Sequence, residues 1–169
     1  MCICFDGLNG EGLHRYCDSS LGDQTDDRHS TSGHVFLLAD GAIGWSSRKQ
    51  KTVAQNTTEV EYMAMADTAN QAAWYRSFLE ELGYTVDTPI PLHSDNKGAI
   101  DLAINPVTGR WSKHIDIRHH VTREYVERSV ITLECTPTAE MLADGFTKPI
   151  PRGSLTKQIL GMGQVLRTV

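Results

Sequence analysis

The sequence predicts an α/β domain: a five-stranded mixed sheet, three antiparallel strands followed by parallel ones, flanked by helices. Three observations carry this. Two apolar runs, residues 33–39 and 42–46, flank Asp40-Gly41, a dipeptide that favours a tight hairpin turn. Residues 55–82 carry apolar side chains at helical spacing. Two short apolar runs, 89–94 and 130–135, are separated by helical segments, which suits parallel strands with helical crossovers.

In chain order, the first strand reads as His14–Cys17, closed by Asp18. Ser19 to Ser32 is polar and rich in Gly and Asp, so it reads as a loop. The helix Gln55–Leu82 has Thr57 or Thr58 as its cap, with Thr58-x-x-Glu61 as a capping box. Tyr62, Ala66, Ala69, Ala73 and the Phe78, Leu79, Leu82 group form its apolar spacing, and Gly83 stops it. Pro89–Ser94 is a strand with its prolines near the start, where they cost least. Asp95–Ile104 is a short helix ended by Asn105-Pro106. A basic linker, Gly109–His114, leads to a second long helix, Ile115–Glu127. Val130–Cys135 is a strand and Thr138–Phe146 a helix stopped before Lys148-Pro149. Residues 1–152 make one domain, and 153–169 form a C-terminal tail that docks or frays.

The composition limits the function classes. The 169 residues are 40% hydrophobic and 22% charged, with net charge −5. That is one domain, large enough to bury a core without staples, and not a disordered, collagen-like or disulfide-rich chain. No apolar run approaches the ~20 residues of a membrane span, so no membrane partner is expected. Cys2, Cys4, Cys17 and Cys135 form no C-x-x-C pair, and reduced thiols fit the cytosol or nucleus. The acidic balance argues against non-specific coating of nucleic acid, yet the charge is polarised. Residues 59–101 hold eight acids against Arg76 and Lys97, whereas residues 110–128 hold five Lys or Arg against three acids.

Four acids stand at revealing places: Asp18 and Asp95 at strand ends, Glu61 in the first turn of the long helix, and Asp144 near the end of the chain's last predicted helix. In open α/β sheets, ligand sites form beyond the carboxyl ends of strands. If the strands of Asp18 and Asp95 are neighbours, the two carboxylates converge, and the helices can bring Glu61 and Asp144 to the same corner. Clustered carboxylates repel unless neutralised. Magnesium suits such a set, and two ions ~4 Å apart serve phosphodiester hydrolysis. Each acid also fits a local role: Glu61 in the capping box, Asp95 as a helix cap, Asp18 in a turn, and Asp144 on a solvated face with Glu140.

The stretches Tyr16-Cys-Asp-Ser-Ser20, Asp26-Asp-Arg-His-Ser-Thr-Ser-Gly33, Thr57-Thr-Glu-Val-Glu-Tyr62, Ser94-Asp-Asn-Lys-Gly-Ala-Ile100, Lys113-His-Ile-Asp-Ile-Arg118 and Leu142-Ala-Asp-Gly-Phe-Thr-Lys-Pro149 stand in this order. Together they resemble the ribonuclease H domain of copia-type retrotransposon Pol polyproteins, from about Phe5 to Arg152. The resemblance implies a ribonuclease H-like fold. It implies an endoribonuclease that cuts the RNA strand of an RNA–DNA hybrid during reverse transcription, next to a reverse transcriptase domain, in a cytoplasmic retroelement particle or the nucleus. Asp18, Glu61, Asp95 and Asp144 match the family's acids, as ligands of two Mg²⁺ ions with Mn²⁺ as a substitute. Many ribonucleases H place a His before the final helix; here that position reads Cys135-Thr-Pro-Thr138, which lowers the expected turnover.

Lys113, Arg118 and Arg123, in the basic stretch, are the candidate phosphate contacts. Hybrid recognition would rest on shape and 2′-hydroxyls. The same stretch also reads as an amphipathic helix with Ile117, Val121 and Tyr125 inward. His119 and His120 diverge on a helix and lack cysteine partners, which argues against zinc. Trp45, Trp74 and Trp111 read as packing residues, and Trp111, in the basic linker, also fits a base-stacking platform. Two other classes compete with the nuclease: a co-opted module that only binds nucleic acid or protein, and an integrase-like core. All four acids being present favours an enzyme, and the Leu-Ala-Asp-x-Phe-Thr-Lys-Pro end argues against an integrase core.

Overall fold

A computed structural model of the chain describes residues 2–5, 12–21, 29–51, 56–86, 88–105 and 113–165, with the side chains of 113–119 outside that description. The elements run β1 Cys2–Ile3, β2 His14–Ser20, β3 Thr31–Leu38, β4 Gly41–Lys49, α1 Thr57–Glu81, β5 Ile90–Ser94, α2 Lys97–Ile104, α3 Lys113–Glu127, β6 Ile131–Cys135, α4 Arg152–Gly161 and β7 Gln164–Val165. Five strands form one sheet in the order β4-β3-β2-β5-β6. The β2–β3 and β3–β4 pairs are antiparallel, and β2–β5 and β5–β6 are parallel, as the element pattern predicts.

The hairpin turn falls one residue earlier than the Asp40-Gly41 signal. Ala39 and Asp40 take left-handed φ values of 51° and 60°, and Leu38 pairs with Gly41. This is the twist-matched two-residue turn that joins antiparallel strands. Strands β2 and β3 both run further than expected, through Ser20 and from Thr31, so Asp18 lies inside β2 rather than at its end.

Helix α1 is capped by Asn56, whose side chain accepts from the Glu59 amide at 2.9 Å. The expected Thr58–Glu61 capping box is therefore not formed. Asn is at least as good a cap as Thr and sits two residues before Thr58, which leaves Glu61 free of the helix end. Gly83, at φ 86°, ends α1: its amide donates to the Glu80 carbonyl and that of Tyr84 to Leu79, the paired bonds of a left-handed C-terminal stop. Tyr62, Met65, Ala69, Ala72 and Leu79 press α1 onto Cys17, Phe36, Leu92 and Ile131 of the sheet. The small alanines let the helix approach closely. Phe78 and Leu82, expected in that stripe, are exposed instead. Trp45 and Trp74 are likewise surface residues, 62% and 53% exposed, with Trp74 stacked on Phe78 at 5.2 Å outside α1. Trp111 and Ile117 fall outside the described side chains.

One buried group breaks the apolar pattern. Arg15 alternates with Cys17 along β2 and so shares its α1-facing side. Its side chain is fully buried, lies 5.7 Å over the Phe36 ring, and none of its three nitrogens has a hydrogen-bond partner among the described residues.

The helix expected over Thr138–Phe146 is replaced by two 3-10 turns, Thr138–Glu140 and Asp144–Phe146. Between them Met141 is extended (φ −71°, ψ 107°) and fully buried. Burying that side chain in the core decides the backbone there over helical continuity. Beyond it, α4 and β7 form; β7 pairs antiparallel with β1, and the Met162 carbonyl accepts from Ala42. The second face of the sheet is thereby covered by Val35, Leu37, Ala42 and Met162, with Tyr16, Leu142 and Phe146 against them. No described helix is long and apolar enough to cross a membrane. All four cysteines are free thiols.

Candidate active site

The parallel pairing of β2 and β5 builds the site. Its register, Arg15 with Leu92 and Tyr16 with His93, continues to set Asp18 beside Asp95. Glu61 arrives from α1, whose start is strapped to the sheet by Gln50. The Gln50 Nε2 donates to the Val60 carbonyl at 3.0 Å and to Ser32 Oγ at 2.7 Å, while the Gln50 amide donates to Ser30. Carboxylate oxygens of Asp18, Glu61 and Asp95 all lie within 4.8 Å of one another. The local roles that spacing alone left open for two acids are taken by other residues. Asn56 caps α1 in place of the Thr58–Glu61 box, and Asn96 caps α2, its side chain accepting from Ala99 at 3.0 Å.

Asp144 joins from the other face. Asp18 alternates with Tyr16, which packs with Leu142 and Phe146, so the Asp144–Phe146 turn lies over it. Thr147 Oγ1 donates a hydrogen bond to Asp18 Oδ2. Lys148 Nζ stands 3.1 Å from Asp144 Oδ1 and 3.8 Å from Asp18 Oδ2. Thr138, from the histidine-free segment after β6, donates to Asp95 Oδ2 at 2.7 Å. Thr138, Thr147, Lys148 and Gln50 were not singled out from spacing. Only Lys148 left a local signal, lying four residues after Asp144.

Burial sets the electrostatics. It pushes Glu61 up to about 8, with the charges of Asp18 and Asp95 adding to the shift. It raises Asp18 as well, against the opposing pull of Thr147 and Lys148, and raises Asp144. Ser19 pulls the Glu61 carboxyl the other way, yet among the described residues Glu61 Oε2 is buried with no hydrogen-bond partner. An orphaned carboxylate oxygen facing two other carboxylates is a donor set that a hard divalent cation satisfies. Magnesium and manganese both suit all-oxygen ligands, so the residues present fit such ions.

Gly33, the last residue of the Ser-Thr-Ser-Gly motif, lets the Thr147 turn sit on β3. A Cβ there would lie 2.7 Å from both Phe146 Cβ and Thr147 Cγ2. On the next strand, Ser47 Oγ donates to the Phe146 carbonyl at 2.6 Å, holding the turn against the sheet. Gly33→Ala is expected to cost about 1–3 kcal/mol through overpacking, measured by urea denaturation. Wild-type stability in that variant would show that the turn does not press on the strand.

Of the predicted phosphate contacts, Lys113 and Arg118 lie in α3 with side chains outside the described residues. Arg123 is half-buried, and its Nη2 donates to the Asn105 carbonyl at 2.6 Å, bracing α3 against the end of α2. The inward-facing reading of α3 holds in part: Tyr125 packs on the core.

No protein-family model matches the chain. It is 37% identical over 163 residues, 95% of its length, to a retrovirus-related Pol polyprotein from transposon TNT 1-94 of Nicotiana tabacum. It is 38% identical over 144 residues, 85% of its length, to the corresponding polyprotein from transposon RE2 of Arabidopsis thaliana. The chain spans only 12% and 10% of those proteins. Among solved structures, LC11-RNase H1, isolated from compost by a metagenomic approach, superimposes with a TM-score of 0.60 at 13% identity, over 88% of this chain and 98% of that one. The same enzyme in complex with an RNA/DNA hybrid gives 0.58 at 12% identity, over 80% and 93%. A foamy viral protease-reverse transcriptase in complex with an RNA/DNA hybrid gives 0.56 at 13% identity, over 86% of this chain and 20% of that one.

Sheet order, helix placement and superposition together define a ribonuclease H-fold domain carrying an acidic cluster. Its homologues, at 37–38% identity over most of its length, are retrotransposon Pol polyproteins of the copia type, and its structural neighbours are ribonuclease H domains.

Proposed function

We propose that the chain is a divalent-metal-dependent endoribonuclease that hydrolyses the RNA strand of RNA–DNA hybrids during retrotransposon reverse transcription. The observation that carries this reading is the convergence of Asp18, Glu61 and Asp95 within 4.8 Å in a ribonuclease H fold. Solved neighbours of the same fold in complex with RNA/DNA hybrids support the substrate. The Pol homology supports a reverse transcriptase domain as the covalent neighbour and a retroelement particle as the setting.

Asp18, Glu61, Asp95 and Asp144 would hold two Mg²⁺ ions, with Mn²⁺ as a substitute. Bound divalent ions supply Lewis-acid activation of water and of the scissile phosphodiester. The chain's own part is positional. Thr147 and Thr138 orient Asp18 and Asp95 by donating to one oxygen of each, which leaves the other oxygen for a ligand. The buried wall around Glu61 lowers the local dielectric and strengthens every charge interaction there. Lys113, Arg118 and Arg123 are the proposed phosphate contacts along the hybrid.

The test is cleavage of a labelled RNA–DNA hybrid with Mg²⁺, beside duplex RNA and duplex DNA, by the wild type and Asp95→Asn. The wild type is expected to cut only the RNA of the hybrid. The variant is expected to be slower by about 10²-fold or more, since losing one ion ligand removes several kcal/mol of transition-state stabilisation. Equal cutting by both, or none by the wild type with either Mg²⁺ or Mn²⁺, overturns the proposal.

A further inference from the structure

The last turn of the site brings a cation of its own. The Lys148 amide donates to the Asp144 carbonyl at 3.1 Å, so residues 144 and 148 stand one turn apart on one side of the chain. The lysine Nζ bridges Asp144 at 3.1 Å and Asp18 at 3.8 Å. Those acids are buried, whereas the lysine side chain is 37% exposed. The ammonium thus enters the cluster from the solvent side. The other half of the cluster is different. Among the described residues no lysine or arginine pairs with Glu61 or Asp95, and Glu61 Oε2 has no partner at all.

We propose that Lys148 is a built-in cation that occupies the Asp18–Asp144 half of the site and competes with a divalent ion for it. The inference rests on the divalent-metal reading above. Filling is then unequal. An ion held by Asp18, Glu61 and Asp95 binds with the closer Lys148–Asp144 pair, at 3.1 Å, left in place. An ion shared by Asp18 and Asp144 binds only as the ammonium leaves for solvent, which its exposure and its flexible four-carbon stem permit. In the metal-free protein the same ammonium relieves repulsion between two buried carboxylates, so one residue stabilises the empty site and weakens the second step of filling.

Calorimetric titration of Mg²⁺ and of Mn²⁺ into the metal-free full chain tests this, with thermal melting of the same samples. The wild type is expected to show a tighter and a weaker step. Lys148→Met is expected to keep the tighter step within about twofold and to tighten the weaker one by about tenfold or more. It is also expected to melt lower than the wild type in metal-free buffer and to recover that loss with saturating ion. Lys148→Arg, which keeps the charge, is expected to restore the wild-type weaker step. A weaker step unchanged in Lys148→Met, with the tighter step intact, overturns the inference while leaving the metal reading standing. Loss of both steps in that variant also overturns it, because the lysine would then support the site rather than compete for it. Absence of ion binding in all three proteins overturns the inference and the metal reading together.

Discussion

Asp18→Asn is expected to lower hybrid cleavage by about 10²-fold or more and, in metal-free buffer, to raise the melting temperature. The two effects have one cause. Asp18 is the most buried of the four acids, at 2% exposure, and its oxygens share 4.8 Å with those of Glu61 and Asp95. Burial raises its pKa, which means that folding opposes its negative charge. For a carboxyl whose folded pKa is raised, that opposition grows as pH rises above the ordinary aspartate range, so removing the charge stabilises the fold there. Asparagine still accepts from Thr147, and Lys148 still has Asp144 at 3.1 Å, so the local structure keeps its partners. A gain of about 1–2 kcal/mol is in the range found when a functional site is relieved of strain, or about 3–6 °C for a domain of this size. Mg²⁺ should raise the wild-type melting temperature more than that of the variant, because the variant lacks a ligand. Scanning fluorimetry with and without Mg²⁺ and a single cleavage assay check all of this. Full activity in the variant, or a lower metal-free melting temperature than the wild type, would remove Asp18 from the site.

Arg15→Met is expected to raise stability by about 1–4 kcal/mol, the range seen when buried ionic groups are exchanged for apolar ones of similar size. Arg15 is fully buried, and among the described residues no acceptor reaches its three nitrogens. Burial lowers its pKa to about 9, the direction expected of a cation without a counter-charge. The Phe36 face at 5.7 Å returns only part of the lost hydration. Methionine fills the same slot between β2 and α1 with a flexible apolar chain. Equilibrium urea denaturation reads the difference. A variant less stable than the wild type would show that the guanidinium has partners that offset its burial.

Much of the fold was legible in local patterns, and particular residues show why. Helix α1 is set by the spacing of Tyr62, Ala66 and Ala69 and by Gly83, all within one stretch of chain. The hairpin between β3 and β4 was legible to within one residue, because a short polar turn between apolar runs is a local signal. The cap of α1 is not legible in the same way, since Asn56, Thr57 and Thr58 are all good caps within three residues and only the path of the chain into the helix selects one. The segment 138–146 was misread for a different reason. Its helix-compatible composition is overridden by burial of Met141, a long-range packing event.

The acids divide in the same way. Their identities, and the motifs around Asp18, Glu61, Asp95 and Asp144, can be read along the chain. Their meeting depends on two strands far apart in sequence pairing in parallel, and on Gln50 strapping α1 to the sheet. The supporting groups are less legible still. Thr138, Thr147 and Lys148 are ordinary residues by type, and they matter only because turns from the last third of the chain fold over β2 and β5. Element types, the mixed sheet and the candidate carboxylates can be read along the chain, because propensity and periodicity act between near neighbours. Folding adds that three of those carboxylates share one corner, that a lysine is interposed beside the fourth, and that an arginine is buried without a partner among the described residues. Electrostatic and desolvation energies depend on distance and burial, which the folded chain alone defines.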